Sequence, residues 1–214
     1  SSLYLYEGES MKAVEVRFAA ETDAEALLEI YAPYVWETAI TFELEAPDRK
    51  EFAERIRTFG ADYPYLICQA DGKMMGYAYA HRMQERAAYQ WNAELSVYLA
   101  PEAAGKGMGT ALYRALMKLL ALQGVQNVYG LVTAPNAASE ALHARLGFTV
   151  AGTYHCTGYK LGQWHDVLIF EKRIGAEGEP RPLAAIGTVE KAAVETVLRD
   201  CEMEIREWDF RRSG

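Results

Sequence analysis

The stretch "NAELSVYLAPEAAGKGMGTALYRALMKLLALQG", residues 92–124, sets an alternating strand, a glycine-rich loop and an amphipathic helix end to end. Alternation places Glu94, Ser96 and Tyr98 on one face of the strand and Leu95, Val97 and Leu99 on the other. Past the loop, Leu112, Leu116, Leu119 and Leu120 recur at helical spacing, and Gly124 supplies the stop. Between them, Gly105, Lys106, Gly107 and Gly109 give a backbone that can turn tightly and come close to a ligand. The first amides of the helix point at the same spot, and the lysine adds positive charge. Two phosphate-loop templates fail here. A dinucleotide fingerprint requires glycine where Thr110 or Leu112 stands, and a loop of the G-x-x-x-x-G-K-[ST] type requires Ser or Thr where Gly107 stands. The loop alone admits two readings, a cradle for a pyrophosphate or an ordinary strand-to-helix turn.

Around this unit the pattern alternates strands and helices. Val14–Arg17 reads as a strand, followed by a helix within 19–35, with Thr22 as its N-cap and Ala26, Leu27, Ile30 and Tyr31 at helical spacing. A second helix within 48–59 carries Phe52, Ile56 and Phe59 on one stripe and should stop at Gly60. "YLICQA", the Asp71-Gly72 turn and "MMGYAYAHR" predict a hairpin. "VQNVYGLVT" is a strand, "NAASEALHARLG" a helix ending at Gly147, and "FTVAGTY" and "HDVLIFEKRI" the closing strands. This order predicts an α/β (α+β) fold whose mixed, mostly antiparallel sheet is flanked by helices. Residues 14–174 form the main domain. Residues 175–187, rich in Gly, Glu and Pro, read as a linker. An extra helix follows over 188–210, capped by Thr188, with Val194, Leu198, Cys201, Ile205 and Trp208 as an apolar stripe. That stripe must be covered by the main domain or by a second copy of the chain. Residues 1–13, opening with "SSLYLYEGES", read as a cloning remnant or frayed extension and carry no weight in the fold.

The net charge of −8 over 214 residues argues against nucleic acid or an anionic membrane as partner, since both demand a basic face. The apolar runs are too short to span a bilayer. Three widely spaced cysteines, Cys68, Cys156 and Cys201, suggest neither a disulfide framework nor a zinc ribbon, so a cytoplasmic protein with reduced thiols is expected. His81 and His155 lack partners at metal-ligand spacing, and no metal is expected.

"SVYLAPEAAGKGMGTALYRAL" resembles the cofactor-binding motif of the GNAT superfamily of acyl-CoA N-acyltransferases, a strand, a [QR]xxGx[GA] loop and a helix. Ala104 departs from that pattern, where Gln or Arg is usual. "PNAASEALHARLGF" is similar to the family's next motif, with Asn136 as its cofactor-contacting asparagine and His143 where many members have tyrosine. "TAITFELEAP", "AYAHRMQERAAYQWNAELSVYL", "LHARLGF" and "GYKLGQWHDV" narrow the resemblance, over residues 14–174, to the branch that acetylates phosphinothricin and methionine sulfoximine or sulfone.

The resemblance implies acetyl-CoA as cofactor, held by Val97, Tyr98, Leu99, Gly105, Lys106, Gly107, Met108, Gly109, Thr110, Asn136 and Ser139. It also implies a small-molecule amine as substrate and a homodimer. Acetyl transfer needs a neutral amine, and an α-amine is mostly protonated at neutral pH, so a base must lie within reach. Glu94 and His143 match the family's catalytic pair, with Glu94 assigned as base and His143 as assistant, or the roles reversed. Phe42, Arg86, Tyr89 and Tyr98 match the substrate pocket, Arg86 offering a fork for the substrate's acidic group. The oxyanion donor falls to a backbone amide within Val97–Leu99. Trp164, His165 and Asp166 match a segment read as a structural corner or dimer contact. An acetyltransferase for another amine, such as a polyamine or a peptide N-terminus, and an acyl-CoA sensor without turnover are the alternatives.

Overall fold

A computed structural model describes residues 13–212; the opening decapeptide lies outside them. Seven strands form one sheet in the order β1-β2-β3-β4-β5-β7-β6. They are β1 (Val14–Phe18), β2 (Tyr65–Ala70), β3 (Lys73–Arg82), β4 (Asn92–Leu99), β5 (Asn127–Ala134), β6 (Thr149–Lys160) and β7 (Gln163–Arg173). Every neighbouring pair is antiparallel except β4–β5. The helices are α1 (Ala24–Glu37), α2 (Arg49–Asp62), α3 (Met108–Gln123), α4 (Ala137–Arg145) and α5 (Lys191–Arg212).

Period-two alternation sorts the core into two layers. On one face Tyr65, Ile67 and Tyr77 pack against Leu27, Tyr31 and Val35 of α1 and Phe52 and Ile56 of α2. On the other, Leu66, Cys68, Ala78 and Leu95 meet α3, whose Leu112, Leu116, Leu119 and Leu120 are fully buried, together with Val194, Cys201 and Ile205 of α5. The stripe of α5 is thus covered by α3 and β1 of its own chain, so it gives no reason to invoke a second copy. Glu202 accepts from the Val16 amide, Arg206 donates to the Val14 carbonyl, and Arg114 pairs with Glu204. The glycine- and proline-rich stretch before α5 is tied to the body. Arg181 donates to the last carbonyls of α3 at Ala121 and Leu122, and the buried Gln123 amide bridges the Asp62 and Ala184 carbonyls.

Three boundaries differ from the sequence expectation. Thr22 does not cap α1: the chain first makes a 3₁₀ turn, Glu21–Asp23, organised by Asp23, which accepts from the Ala20 amide and takes both Arg17 guanidinium nitrogens at 2.8 Å. Gly60 lies inside α2, whose last turn still closes from the Tyr63 amide to the Phe59 carbonyl before Pro64 ends it. Thr188 sits in a 3₁₀ turn and bonds back to the Ala185 carbonyl, and α5 begins at Lys191.

Ile205 is fully buried at the α5–α3 contact. Ile205→Ala should therefore cost about 2–5 kcal/mol. The check is a urea transition whose midpoint falls while its slope is unchanged.

Candidate active site

The site starts where two strands part. β4 and β5 run parallel only from Asn92↔Asn127 to Glu94↔Tyr129, after which their register ends. The Trp91 carbonyl accepts from the Gln126 and Asn127 amides, so the odd-numbered residues of β4 present their backbone to this edge. Beyond the parting, the freed carbonyls of Leu95 and Leu99 are taken by the hydroxyls of Tyr113 and Tyr34. By the same alternation the N–H of Val97 faces the open split between them. A small cavity of 60 Å³ fills that split, walled by Leu95–Tyr98 on one side, Leu131–Thr133 on the other, and Tyr113 and His143.

The cavity continues through Val97, Asn136 and Ser139 into a groove of 390 Å³ that ends on the glycine loop. Gly105 and Gly107 both adopt φ +71°, the left-handed region that favours glycine. Gly107 is the N-cap of α3, and no side chain caps this end, so the first amides of the helix are left for a ligand. A Cβ at Gly109 would press within 3.0 Å of Leu142, the α4 residue on the far wall, so the groove is narrow because glycine stands there. Arg145 lines the groove and donates to Thr110. The Met108 side chain is buried in the core, so only its backbone can serve a ligand. Asn136, which lines the groove, has a structural duty as well: its Oδ1 caps α4 by accepting from the Ser139 amide. These features fit a long anionic ligand such as coenzyme A, with a narrow channel for its chain and an amide cradle for its pyrophosphate.

The two expected catalytic residues enter from opposite faces of the sheet. Glu94 shares its face with Ser96 and Tyr98, one residue before the cavity wall. Its partner is His81 of β3, with His81 Nε2 2.7 Å from Glu94 Oε2. His143 lies on the α3 side, 2% exposed, stacked on Phe170 and edged by Tyr113 and Phe148. Its Nδ1–H donates to the Ser139 carbonyl at 2.7 Å, which fixes the tautomer and leaves Nε2 bare over Gly130, with no protein partner among the described residues. Burial lowers its pKa against the smaller opposing pull of that carbonyl, so the ring is neutral.

Of the substrate-side candidates, Tyr98 lines the cavity and packs edge-on against Tyr31 and Tyr34. Phe42 covers Gly158, where a Cβ has no room, and leans toward His165. Arg86 and Tyr89 stand on an exposed turn after β3 and are not among the cavity walls. His81, Tyr34 and Trp208 were missed from sequence as site residues. The sequence marks His81 as no more than a histidine without metal-ligand spacing, and the irregular 83–91 connection gives no turn rule that would fix its place opposite Glu94. Trp208 of α5 lies against Gly107, its ring 2.8 Å from where a Cβ would stand.

A strand pair that splits beside a left-handed glycine loop is the geometry of an acyl-CoA transferase, and the chain belongs to the GNAT acetyltransferases: residues 16–169 match the acetyltransferase (GNAT) domain. It is an acyltransferase enzyme with acetyl-CoA as its co-substrate. The phosphinothricin N-acetyltransferase of Streptomyces viridochromogenes is 32% identical over 175 residues, 82% of this chain and 96% of that protein. The L-methionine sulfoximine/L-methionine sulfone acetyltransferase of Salmonella typhimurium is 30% identical, covering 77% of this chain and 97% of that protein. A phosphinothricin acetyltransferase from Sinorhizobium meliloti, solved in complex with acetyl-CoA, superposes with a TM-score of 0.76 at 33% identity, covering 82% of this chain and 97% of that one.

Gly107→Ala combines a left-handed backbone with a collision against Trp208. It should weaken acetyl-CoA binding roughly tenfold or more, on the order of 1.4 kcal/mol. Calorimetric titration checks this beside Gly187→Ala, whose Cβ would meet nothing within 4 Å and which should bind as the parent does.

Proposed function

We propose that this enzyme acetylates the α-amine of a small amino-acid analogue of the phosphinothricin or methionine sulfoximine/sulfone type, by direct transfer from acetyl-CoA with Glu94 as general base. The observation that carries the reading is the split at Glu94: a carboxylate stands at the point where β4 leaves β5, one residue before the wall of a channel faced by the Val97 N–H. The names of the relatives support the substrate class. Bound acetyl-CoA would supply the thioester, whose C–S bond breaks as the new C–N bond forms, CoA departing as the thiol with a proton shed by the amine nitrogen. Glu94 takes the proton from the attacking amine, and the Val97 N–H donates to the carbonyl oxygen as negative charge builds there. His143, neutral and on the far wall, gives its ring to the channel lining and assists without sharing the Glu94 proton. Phe42 and Tyr98 flank a short side chain. Arg86, on its exposed turn, meets the substrate's acidic group only when that group reaches out of the split.

A second reading, N-acetylation of a polyamine, finds some support in the carboxylate and phenol lining, and Arg86 separates the two. Assembly as a homodimer belongs to the same proposal. It rests on the exposed Tyr159, Leu161 and Trp164 at the end of the β6–β7 hairpin. A cytoplasmic location rests on the three free cysteines.

Release of free CoA should be followed with phosphinothricin, methionine sulfoximine, methionine sulfone, ordinary amino acids and spermidine. The expected outcome is turnover of the phosphorus or sulfur analogues and a fall in kcat of roughly 10²-fold or more in Glu94→Gln. Full activity in that variant contradicts the base assignment. Arg86→Ala should raise KM for the acidic analogues, whereas a gain with spermidine favours the second reading.

A further inference from the structure

β3 and β4 pair so that His81 lies directly opposite Glu94. Both nitrogens of the His81 ring face acceptors: Nε2 meets Glu94 Oε2 at 2.7 Å, and Nδ1 meets the Arg82 carbonyl at 2.9 Å. A neutral imidazole has one N–H and can satisfy one of these oxygens. Meeting both requires one more proton, carried either by the ring or by the carboxyl. The surroundings favour the ring. Glu94 Oε1 has no protein partner among the described residues and stays open for a substrate proton. The imidazole is also clamped, stacking on Phe59 of α2 at 5.2 Å and 30° at the end of a run of rings that includes Tyr79 and Tyr65.

Few other charges bear on the ring. From β4 the facing titratable group is Glu94. On β3 they are Tyr79, a phenol whose pKa burial raises, and Arg82, whose guanidinium turns away to the carbonyls of Gln84 and Glu85. From α2 it meets the apolar ring of Phe59. Burial alone would lower the His81 pKa, but the hydrogen bond and charge of Glu94, with the Arg82 carbonyl, outweigh it and the net shift is upward. The ion pair is therefore intact below the raised value and is lost as pH climbs through it.

We propose that His81 is the positioning residue of the base: as an imidazolium anchored on the Arg82 carbonyl, it holds the Glu94 carboxylate in one rotamer through a charged hydrogen bond, leaving Oε1 to take the amine proton. This rests on the reading of Glu94 as the base. That hold is present while the ring is charged and fades as pH climbs through the raised His81 value. His81→Gln keeps a neutral donor of similar reach but no charge. Its kcat should fall roughly tenfold near pH 6 and by a factor of about three or less at pH 8.5, with KM for acetyl-CoA unchanged.

The test measures kcat against pH for the parent, His81→Gln and Glu94→Gln with phosphinothricin and acetyl-CoA, and records ¹⁵N spectra of histidine-labelled parent protein near pH 7. The expected result is a His81 ring protonated on both nitrogens and a loss in His81→Gln that shrinks as pH rises. The spectrum requires neither turnover nor a folded variant. A neutral His81 ring overturns the proposal, as does a His81→Gln loss that is absent or the same at every pH. If Glu94→Gln keeps full activity, the base assignment itself has failed. If Glu94→Gln is inactive while His81→Gln matches the parent, only the role of His81 has failed.

Discussion

The loss of hydrogen bonds between β4 and β5 after Glu94 is the feature on which the rest of the site depends. A sheet interior that stops pairing leaves buried backbone groups without partners, and this is tolerated only where something else supplies them. Here tyrosine hydroxyls from α1 and α3 take the carbonyls of Leu99 and Leu95, one from each face of the sheet. The N–H of Val97 between them is left for a ligand. A local defect in the ladder thus becomes a channel with one donor aimed into it, and the Glu94 carboxylate stands at its upstream end.

The other requirement is a place for charge at the far end of that channel, and the helix start at Gly107 provides it. Its left-handed backbone turns the first amides of α3 outward, and the absence of a side-chain cap keeps them available. Behind the loop, Trp208 occupies the space a side chain would need. The C-terminal helix lies beyond the matched family domain, yet its indole braces the loop. Glu94 and the loop at Gly107 lie at the two ends of β4, which pairs with β3 from Ala93 to Leu99.

Much of this was legible in the sequence because it is local. The alternation of 92–99, the stop at Gly124 and the Asp71-Gly72 hairpin follow from short-range rules, and each stands where the pattern put it. Thr22, Gly60 and Thr188 misled for a common reason: each has the residue type of a boundary, while the boundary was set by a longer-range partner or a later proline. Asp23 is recruited by Arg17 across the turn, and α2 runs on to Pro64. The site was harder to read. Glu94 and His143 could be named from motifs, but their placement on opposite faces depends on where β4 and β5 part, which no periodicity encodes. His81 stayed hidden because strand register across an irregular connection is fixed by tertiary packing. The amphipathic stripe of α5 required a cover, but sequence offered no way to choose between α3 and a second chain.

We propose that the split at Glu94 and the loop at Gly107 together seat acetyl-CoA. Amide hydrogen exchange with and without acetyl-CoA tests it most directly, because it reads both ends of the channel in one experiment. Slowed exchange is expected at Val97 and Leu99 and across residues 105–110, with α1 and the Asp71-Gly72 turn unaffected. Protection confined to α1 and residues 72–74, which line a separate cavity of 660 Å³, would contradict it and move the ligand to the other side of the sheet.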